Sequence, residues 1–257
     1  MKITFLGISG ALSAKYNSNM LIENGQNCML FDCGEDVMHS LKAAGRTPEE
    51  LTDVFISHLH FDHMGGLSWL GYYSYFILKK KLTLHIHESM VSDLWAMLRP
   101  AMEKLDCEDK MMTLDDYFEV DALPDDNGFF FGRLTLYPVR QVHVETPHGN
   151  MYSYGLRRGP NLDGDWGFFI SSDSKDIKIP STSDVAYREE CDYKYIFCDC
   201  DVMNLGGVHP NYDTLKLFAR ETKSKMWLYH YHELDDMPDA VADGFAGFVR
   251  EGQIFEL

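Results

Sequence analysis

Four residues within a stretch of six, His58, His60, Asp62 and His63, are of types that hold metal ions. They follow Val54-Phe55-Ile56-Ser57, which reads as a short apolar strand. At a strand end, side chains two apart face the same way, so His58 and His60 can grip one cation. Where the chain then turns into a helix start, Asp62 and His63 can reach a second. Imidazole nitrogens and a carboxylate oxygen are the donors that Zn2+ accepts most readily. Three of the chain's eleven histidines fall in these six positions, which core packing does not explain. Two cations ~3.5–4 Å apart lower the pKa of water toward neutrality and clamp the oxygens of an in-line displacement at phosphorus.

The surrounding pattern supplies elements to position such a site. Strands are expected over 2–6, 19–23 and 28–32, the last two joined by a turn at Asn24-Gly25. A helix is expected over 36–44, closed by Gly45. Thr47-Pro48-Glu49-Glu50 carries the cap, first-position proline and capping-box acid of a further short helix. Asp62 opens a helix running to 77, followed by a strand over 82–86 and a helix over 89–98. The stretch 106–126 mixes short elements and loops. Strands then fall at 134–138, 152–156, 166–171 and 195–199, a helix at 213–222, and a last strand at 225–229 before a polar tail. A βααβ-like first half and a similar second half predict a single 257-residue α/β domain, two packed mixed sheets flanked by helices.

Composition narrows the partners. With 45% hydrophobic and 25% charged residues, the chain can bury a sizeable core. No apolar run is long enough to span a membrane, and the start lacks the apolar stretch of a secretory signal, so a cytoplasmic protein is expected. Cys28, Cys33, Cys107, Cys191, Cys198 and Cys200 form no CxxC pair and read as buried thiols in a reducing compartment. The formal net charge of −17 repels a long polyanion, whose affinity comes from Lys/Arg–phosphate contacts. A small phosphate ester stays compatible, because two divalent cations dominate the field inside a cleft.

Other conspicuous residues carry less. His85 and His87 repeat the HxH spacing without a following Asp-His and read as strand residues. His232 faces the same way as His230, two positions earlier, and is a candidate to line the cleft. Trp69, Tyr72, Tyr73, Tyr75 and Phe76 are more aromatics than one buried helical stripe uses. Tyr72, Tyr73 and Tyr75 are therefore candidates to stack a nucleobase, with core packing and a dimer contact as the alternatives.

The segments Leu30-Phe31-Asp32-Cys33-Gly34-Glu35 and Ile56-Ser57-His58-Leu59-His60-Phe61-Asp62-His63-Met64-Gly65-Gly66-Leu67 resemble the metallo-β-lactamase superfamily, in its tRNase Z-like branch. Phe5-Leu6-Gly7 and Asn17-Ser18-Asn19-Met20-Leu21 fit the same pattern. The resemblance implies the αββα sandwich of that superfamily and three further ligands. His143, after Val139-Arg140-Gln141-Val142, matches the third histidine of one metal, with His148 as its rival. Asp173, in Phe169-Ile170-Ser171-Ser172-Asp173-Ser174, matches the aspartate that touches both metals. His230, after Met226-Trp227-Leu228-Tyr229, matches the last ligand. The implied sets are His58, His60, His143 and Asp173 on one ion, and Asp62, His63, His230 and Asp173 on the other, with Zn2+ expected and Mn2+ the alternative.

His209, in Gly206-Gly207-Val208-His209-Pro210, matches the additional histidine of tRNase Z-like phosphodiesterases. The resemblance implies that it neutralises a phosphate oxygen or protonates the leaving group, with Asp201 expected to fix its tautomer. Asp62 and His209 are thus the expected catalytic residues, with Asp201 in support. The tRNA-processing members carry a long basic arm between the ligands matching His143 and Asp173; here that segment is short and not basic. The C-terminal run from Gly207 to His232 is most similar to cyclic-nucleotide-degrading members, including phage anti-Pycsar proteins. That resemblance implies homodimers hydrolysing 3′,5′-cyclic mononucleotides, in the host cytoplasm if the source is viral. The competing readings are a tRNase Z-like RNA endonuclease and a nucleotide-sequestering protein that cleaves nothing.

Overall fold

Gly25 takes a left-handed backbone (φ +65°), which a tight hairpin turn favours, and folds β2 (Met20–Asn24) onto β3 (Asn27–Phe31) in antiparallel register. This hairpin belongs to a computed structural model that describes residues 1–104, 110–125, 127–159, 167–180 and 193–257. Cys107, Cys191 and Trp166 lie outside the described residues. The described chain divides into two compact units.

The first unit comprises Met1–Gly7, Ala14–Pro124 and Gly252–Glu256. Its sheet adds β1 (Lys2–Phe5), β4 (Asp53–Ile56), β5 (Leu82–His87), β6 (Phe118–Leu123) and β14 (Ile254–Glu256), in the order β14-β1-β2-β3-β4-β5-β6. The β14, β1, β2 and β3 pairings are antiparallel; β3 through β6 run parallel. Parallel neighbours need crossovers, and helices supply them: α1 (Val37–Ala43), α2 (Phe61–Met64) with α3 (Leu67–Tyr72), and α4 (Glu88–Met102). Helix α4 buries Met90, Leu94, Leu98 and Met102, one stripe at four-residue spacing. Every residue of β4 is buried, as a strand covered on both faces requires.

The second unit comprises Ile8–Ser13, Asp125–Glu251 and Leu257. Its seven strands run in the order β13-β12-β11-β10-β9-β8-β7. They are β7 (Phe129–Phe131), β8 (Leu134–Thr146), β9 (Gly149–Arg158), β10 (Phe168–Ile170), β11 (Tyr195–Asp199), β12 (Met226–Tyr229) and β13 (Gly247–Phe248). Strands β7 to β10 pair antiparallel and β10 to β13 parallel. Phe169, Cys198, Leu215, Met226 and Leu228 are central to its core.

Several elements depart from the sequence expectation. The strand expected over 134–138 extends to Thr146 and forms a long hairpin with β9. The helix expected over 213–222 is two short ones, α5 (Tyr212–Leu215) and α6 (Arg220–Lys223). Ala219 is extended (ψ 144°) between them; the bend lets Phe218 join the core that buries Leu215, while Leu217 stays exposed. The helix expected from Asp62 to 77 is broken after Met64 and ends as a π-helical stretch, Tyr73–Leu78. The polar tail contributes β13 and β14; Phe255 on β14 packs edge-on against Phe5, 5.9 Å between ring centroids. Among the described cysteines, Cys28, Cys33, Cys198 and Cys200 are buried free thiols, and no described helix is long and apolar enough to cross a membrane.

Candidate metal centre

In open α/β sheets, ligands bind beyond the carboxyl ends of parallel strands. Both units present their donors there. In the first, Asp32 directly follows β3, and Ser57 and His58 directly follow its parallel neighbour β4. In the second, β10, β11 and β12 run parallel, with Asp173 three residues beyond β10, Asp199 the last residue of β11, and His230 directly after β12.

The first unit holds a rigid histidine cluster. Asp32 Oδ1 accepts from the Ser57 backbone N–H (2.8 Å), and Oδ2 accepts from the Ser57 hydroxyl (2.9 Å). The same Oδ2 lies 2.8 Å from His63 Nδ1, which fixes that nitrogen as the N–H and turns Nε2 toward Asp62, 3.4 Å from its Oδ2. Ser57 Oγ also meets His58 Nδ1 at 3.0 Å, which leaves His58 Nε2 facing His60 Nδ1 at 3.1 Å. Two donors on one tetrahedral zinc, each at about 2.0–2.1 Å, stand roughly 3.3 Å apart, so both pairs have the separation that a shared ion imposes. Such anchoring of the second ring nitrogen is the usual support of metal-binding histidines. Burial pushes the Asp32 carboxyl above its ordinary range, against the pull of His63.

The second unit gathers its donors from four places. His143 sits at a β-bulge, where the β8–β9 register shifts between Val142 and Val144. A bulge re-aims a side chain that regular pleating would send elsewhere. His143 Nδ1–H donates to the Val208 carbonyl (3.0 Å), and Nε2 lies 3.7 Å from Asp173 Oδ2. Burial pushes the His143 pKa down, which keeps the ring in the neutral form that a ligand needs. His230 Nε2 lies 3.5 Å from the same Asp173 oxygen. Gly10 faces that nitrogen: a Cβ there would come within 2.8 Å of His230 Nε2, so only glycine leaves the space open. One ligand atom each from Asp173, His209 and His230 lies within 4.8 Å of the others. His148, the rival of His143, stands exposed at the hairpin turn.

His209 has a different support from the one expected. Its Nδ1 lies 3.2 Å from Oδ2 of Asp199, a fully buried carboxylate also held by Ser171 and Ser174. Asp201 instead accepts from the backbone N–H groups of Met203 (2.8 Å) and Gly206 (3.2 Å), shaping the loop before His209. Alternation along the strand end explains the correction: Asp199 and Asp201 share a face, but only Asp199 is still inside the sheet, beside Ser171. Burial pushes the Asp199 carboxyl up, against the pull of His209.

Backbone strain marks the same places. Among the described residues, five non-glycines have positive φ: Asp32, Lys79, Ser172, Asn204 and His230. Three of these adjoin or supply the donors, at about 1–3 kcal/mol each. Sequence reasoning missed Asp32, Ser57, Asp199 and Gly10 as site residues. A usable signal existed for Asp32 and Asp199, each an acid ending an apolar strand.

The remaining candidates have other partners. Tyr72 donates to the Ala101 carbonyl (3.0 Å), Tyr73 to Glu49 (2.7 Å), and the Tyr75 ring packs on Tyr117 (5.5 Å). These contacts account for the aromatic density by tying the π-helical stretch down. His232 Nε2 is buried with no hydrogen-bond partner among the described residues. His85 lies between Asp53 (2.9 Å) and Asp121 (2.8 Å), cross-linking three strands, and His87 caps α4.

Comparison with known proteins adds three findings. The family model described as "Anti-Pycsar protein Apyc1" matches residues 1–255. A relative of that name from Bacillus phage 010DV004 is 32% identical over 272 residues, covering 100% of this chain and 98% of its own. Among solved structures, the metallo-β-lactamase fold protein YhfI from Bacillus subtilis superposes with a TM-score of 0.71 at 18% identity, over 99% and 98% of the two chains. The short form of human tRNase Z gives 0.70 at 16%, over 100% and 99%. These likenesses establish the metallo-β-lactamase fold.

Proposed function

The chain belongs to the anti-Pycsar Apyc1 family, and from that premise we propose that it is a two-metal phosphodiesterase hydrolysing 3′,5′-cyclic mononucleotides to linear nucleotides. In this reading both units are halves of one hydrolase domain. His58, His60, His143 and Asp173 hold one ion, and Asp62, His63, His230 and Asp173 the other; zinc is the metal that this donor set favours. Suppression of cyclic-nucleotide signalling in the cytoplasm is the role that the family name suggests.

When bound, such an ion pair supplies an activated water and neutralises phosphoryl charge. The protein's own residues do the rest. Asp32 and Ser57 hold the rings of His58 and His63 in one tautomer. The observation that carries the reading is His209 beside Asp173, its Nδ1 on buried Asp199. A ring so held exchanges protons through Nε2. As a water oxygen bonds to phosphorus and gives up a proton to solvent, the bond to one ribose oxygen would break; His209 would give that oxygen its proton and regain one from solvent. A centre that only sequestered nucleotides would have no use for this pair. The net charge of −17 disfavours a long RNA.

Incubation of the metal-loaded protein with 3′,5′-cyclic mononucleotides, cyclic dinucleotides and a pre-tRNA tests the assignment. A linear mononucleotide formed by the wild type and lost in His60→Ala supports it. Cleavage of the RNA alone would make the protein a tRNase Z-like endonuclease, and tight binding with unchanged nucleotide mass would make it a sequestering protein. The proposed active form is a homodimer; exposed Phe76 and Ile77 offer apolar surface for it, and sedimentation velocity would show the dimer mass.

A further inference from the structure

Lys79-Lys80-Lys81 runs against the composition of the chain, in which 40 acidic residues outnumber 23 lysines and arginines. All three are exposed, and none lies within ion-pair distance of a carboxylate among the described residues. Lys2, Arg46, Lys110, Arg140, Lys175 and Lys216, by contrast, each pair with an acid. Lys80 Nζ donates to the carbonyls of Glu49 (3.1 Å) and Leu51 (2.9 Å), and Lys81 Nζ to the Asp115 carbonyl. Carbonyls fix the positions of these two side chains without neutralising their charge. Lys79 ends the π-helical stretch with a left-handed backbone (φ +53°), where glycine would be free of strain. Its Nζ lies 5.9 Å from the centroid of the Tyr75 ring.

With Tyr75 and Asp116, the three lysines line an open cavity of about 300 Å3, at the lower end of the size of small-molecule sites. The acids nearby are engaged elsewhere. Asp116 accepts from Lys110 Nζ and from the Thr113 backbone N–H (2.8 Å), and Glu49 accepts from the Tyr73 hydroxyl (2.7 Å). The cavity also lies apart from the metal donors. Lys81 directly precedes β5, Glu49 and Leu51 precede β4, and Asp115 and Asp116 precede β6. These three strands run parallel, so the lysines gather at their amino ends, whereas His58 follows the carboxyl end of β4.

We propose that this cavity binds a phosphate dianion, free or as the terminal phosphate of a nucleotide, at a second site separate from the metal donors. An ammonium group carries three N–H donors, so Lys79 and Lys81 keep most of theirs available to a ligand. A phosphate offers nearly two charges and three strong acceptor oxygens to meet several such groups at once. A lone carboxylate brings a single charge and leaves the cluster in excess. The site does not depend on the phosphodiesterase reading.

The test adds inorganic phosphate, or adenosine 5′-monophosphate, to the zinc-loaded full-length protein and follows acetylation of individual lysines by mass spectrometry. At saturating ligand, Lys79 and Lys81 should react about fivefold or more slowly, while exposed Lys42 on α1 is unaffected. Equal protection by both ligands assigns the site to phosphate itself; protection by the nucleotide at lower concentration assigns it to a nucleotide. Lys79→Gln should raise the ligand concentration that half-protects Lys81 by about threefold to tenfold, with the melting temperature and zinc content of the wild type. Acetylation of Lys79 and Lys81 that neither ligand slows would overturn the inference. So would protection of Lys81 that is unaltered in Lys79→Gln, or protection that vanishes in His60→Ala, which would place the phosphate on the metal centre.

Discussion

Asp32 and Asp199 are both buried carboxylates at the carboxyl end of a parallel strand, and both hold a histidine by Nδ1. Their settings differ. Asp32 supports a cluster that is contiguous in sequence, and it reaches two of the four donors there, His63 directly and His58 through Ser57. Asp199 supports a set drawn from separate elements, and the histidine it holds is the one proposed to move a proton rather than to bind metal alone. In the proposed function the same device would serve metal affinity in one unit and turnover in the other.

Asp199→Asn should break the comparison most visibly. It removes the charge that stabilises protonated His209, so kcat should fall by about 100-fold with zinc content unchanged, and the alkaline limb of the kcat–pH profile should move. Equal loss of zinc and rate would make Asp199 a metal support like Asp32. The converse substitution, Asp32→Asn, should weaken zinc affinity by about 10- to 100-fold, read by competition with a chelator, and leave kcat of the zinc-saturated enzyme nearly intact.

Smaller effects sharpen the contrast. Asp201→Ala removes the acceptor for two backbone N–H groups and should cost about 1 kcal/mol of stability in thermal melts, with kcat within a few-fold of wild type. A kcat loss matching that of Asp199→Asn would restore Asp201 as the partner of His209. Least of all, burial pushes the Cys28 thiol up to about 11, so at pH 8 it carries almost no thiolate. Iodoacetamide should leave Cys28 unmodified in the native protein, as read by mass spectrometry; rapid labelling would show a more open first unit.

The contiguous donors were legible because His58, His60, Asp62 and His63 need only a strand end and a helix start to converge, and both have local signals. The dispersed set was legible only through family resemblance. His143 depends on a bulge that alternation cannot announce, since the pairing strand decides it. The support of His209 was misassigned to Asp201 because strand periodicity places Asp199 and Asp201 on one face without saying where the sheet ends. β13 and β14 were invisible because two- and three-residue strands carry too short a pattern, their existence resting on partners far away in the chain.

Hydrolysis of a 3′,5′-cyclic mononucleotide by wild type and His209→Ala, matched for zinc content, tests the central claim most directly. The expected result is a linear mononucleotide from the wild type and a rate lower by about 100-fold or more in the variant, with zinc retained. Equal rates at equal zinc, or no linear product from the zinc-loaded wild type, would contradict it.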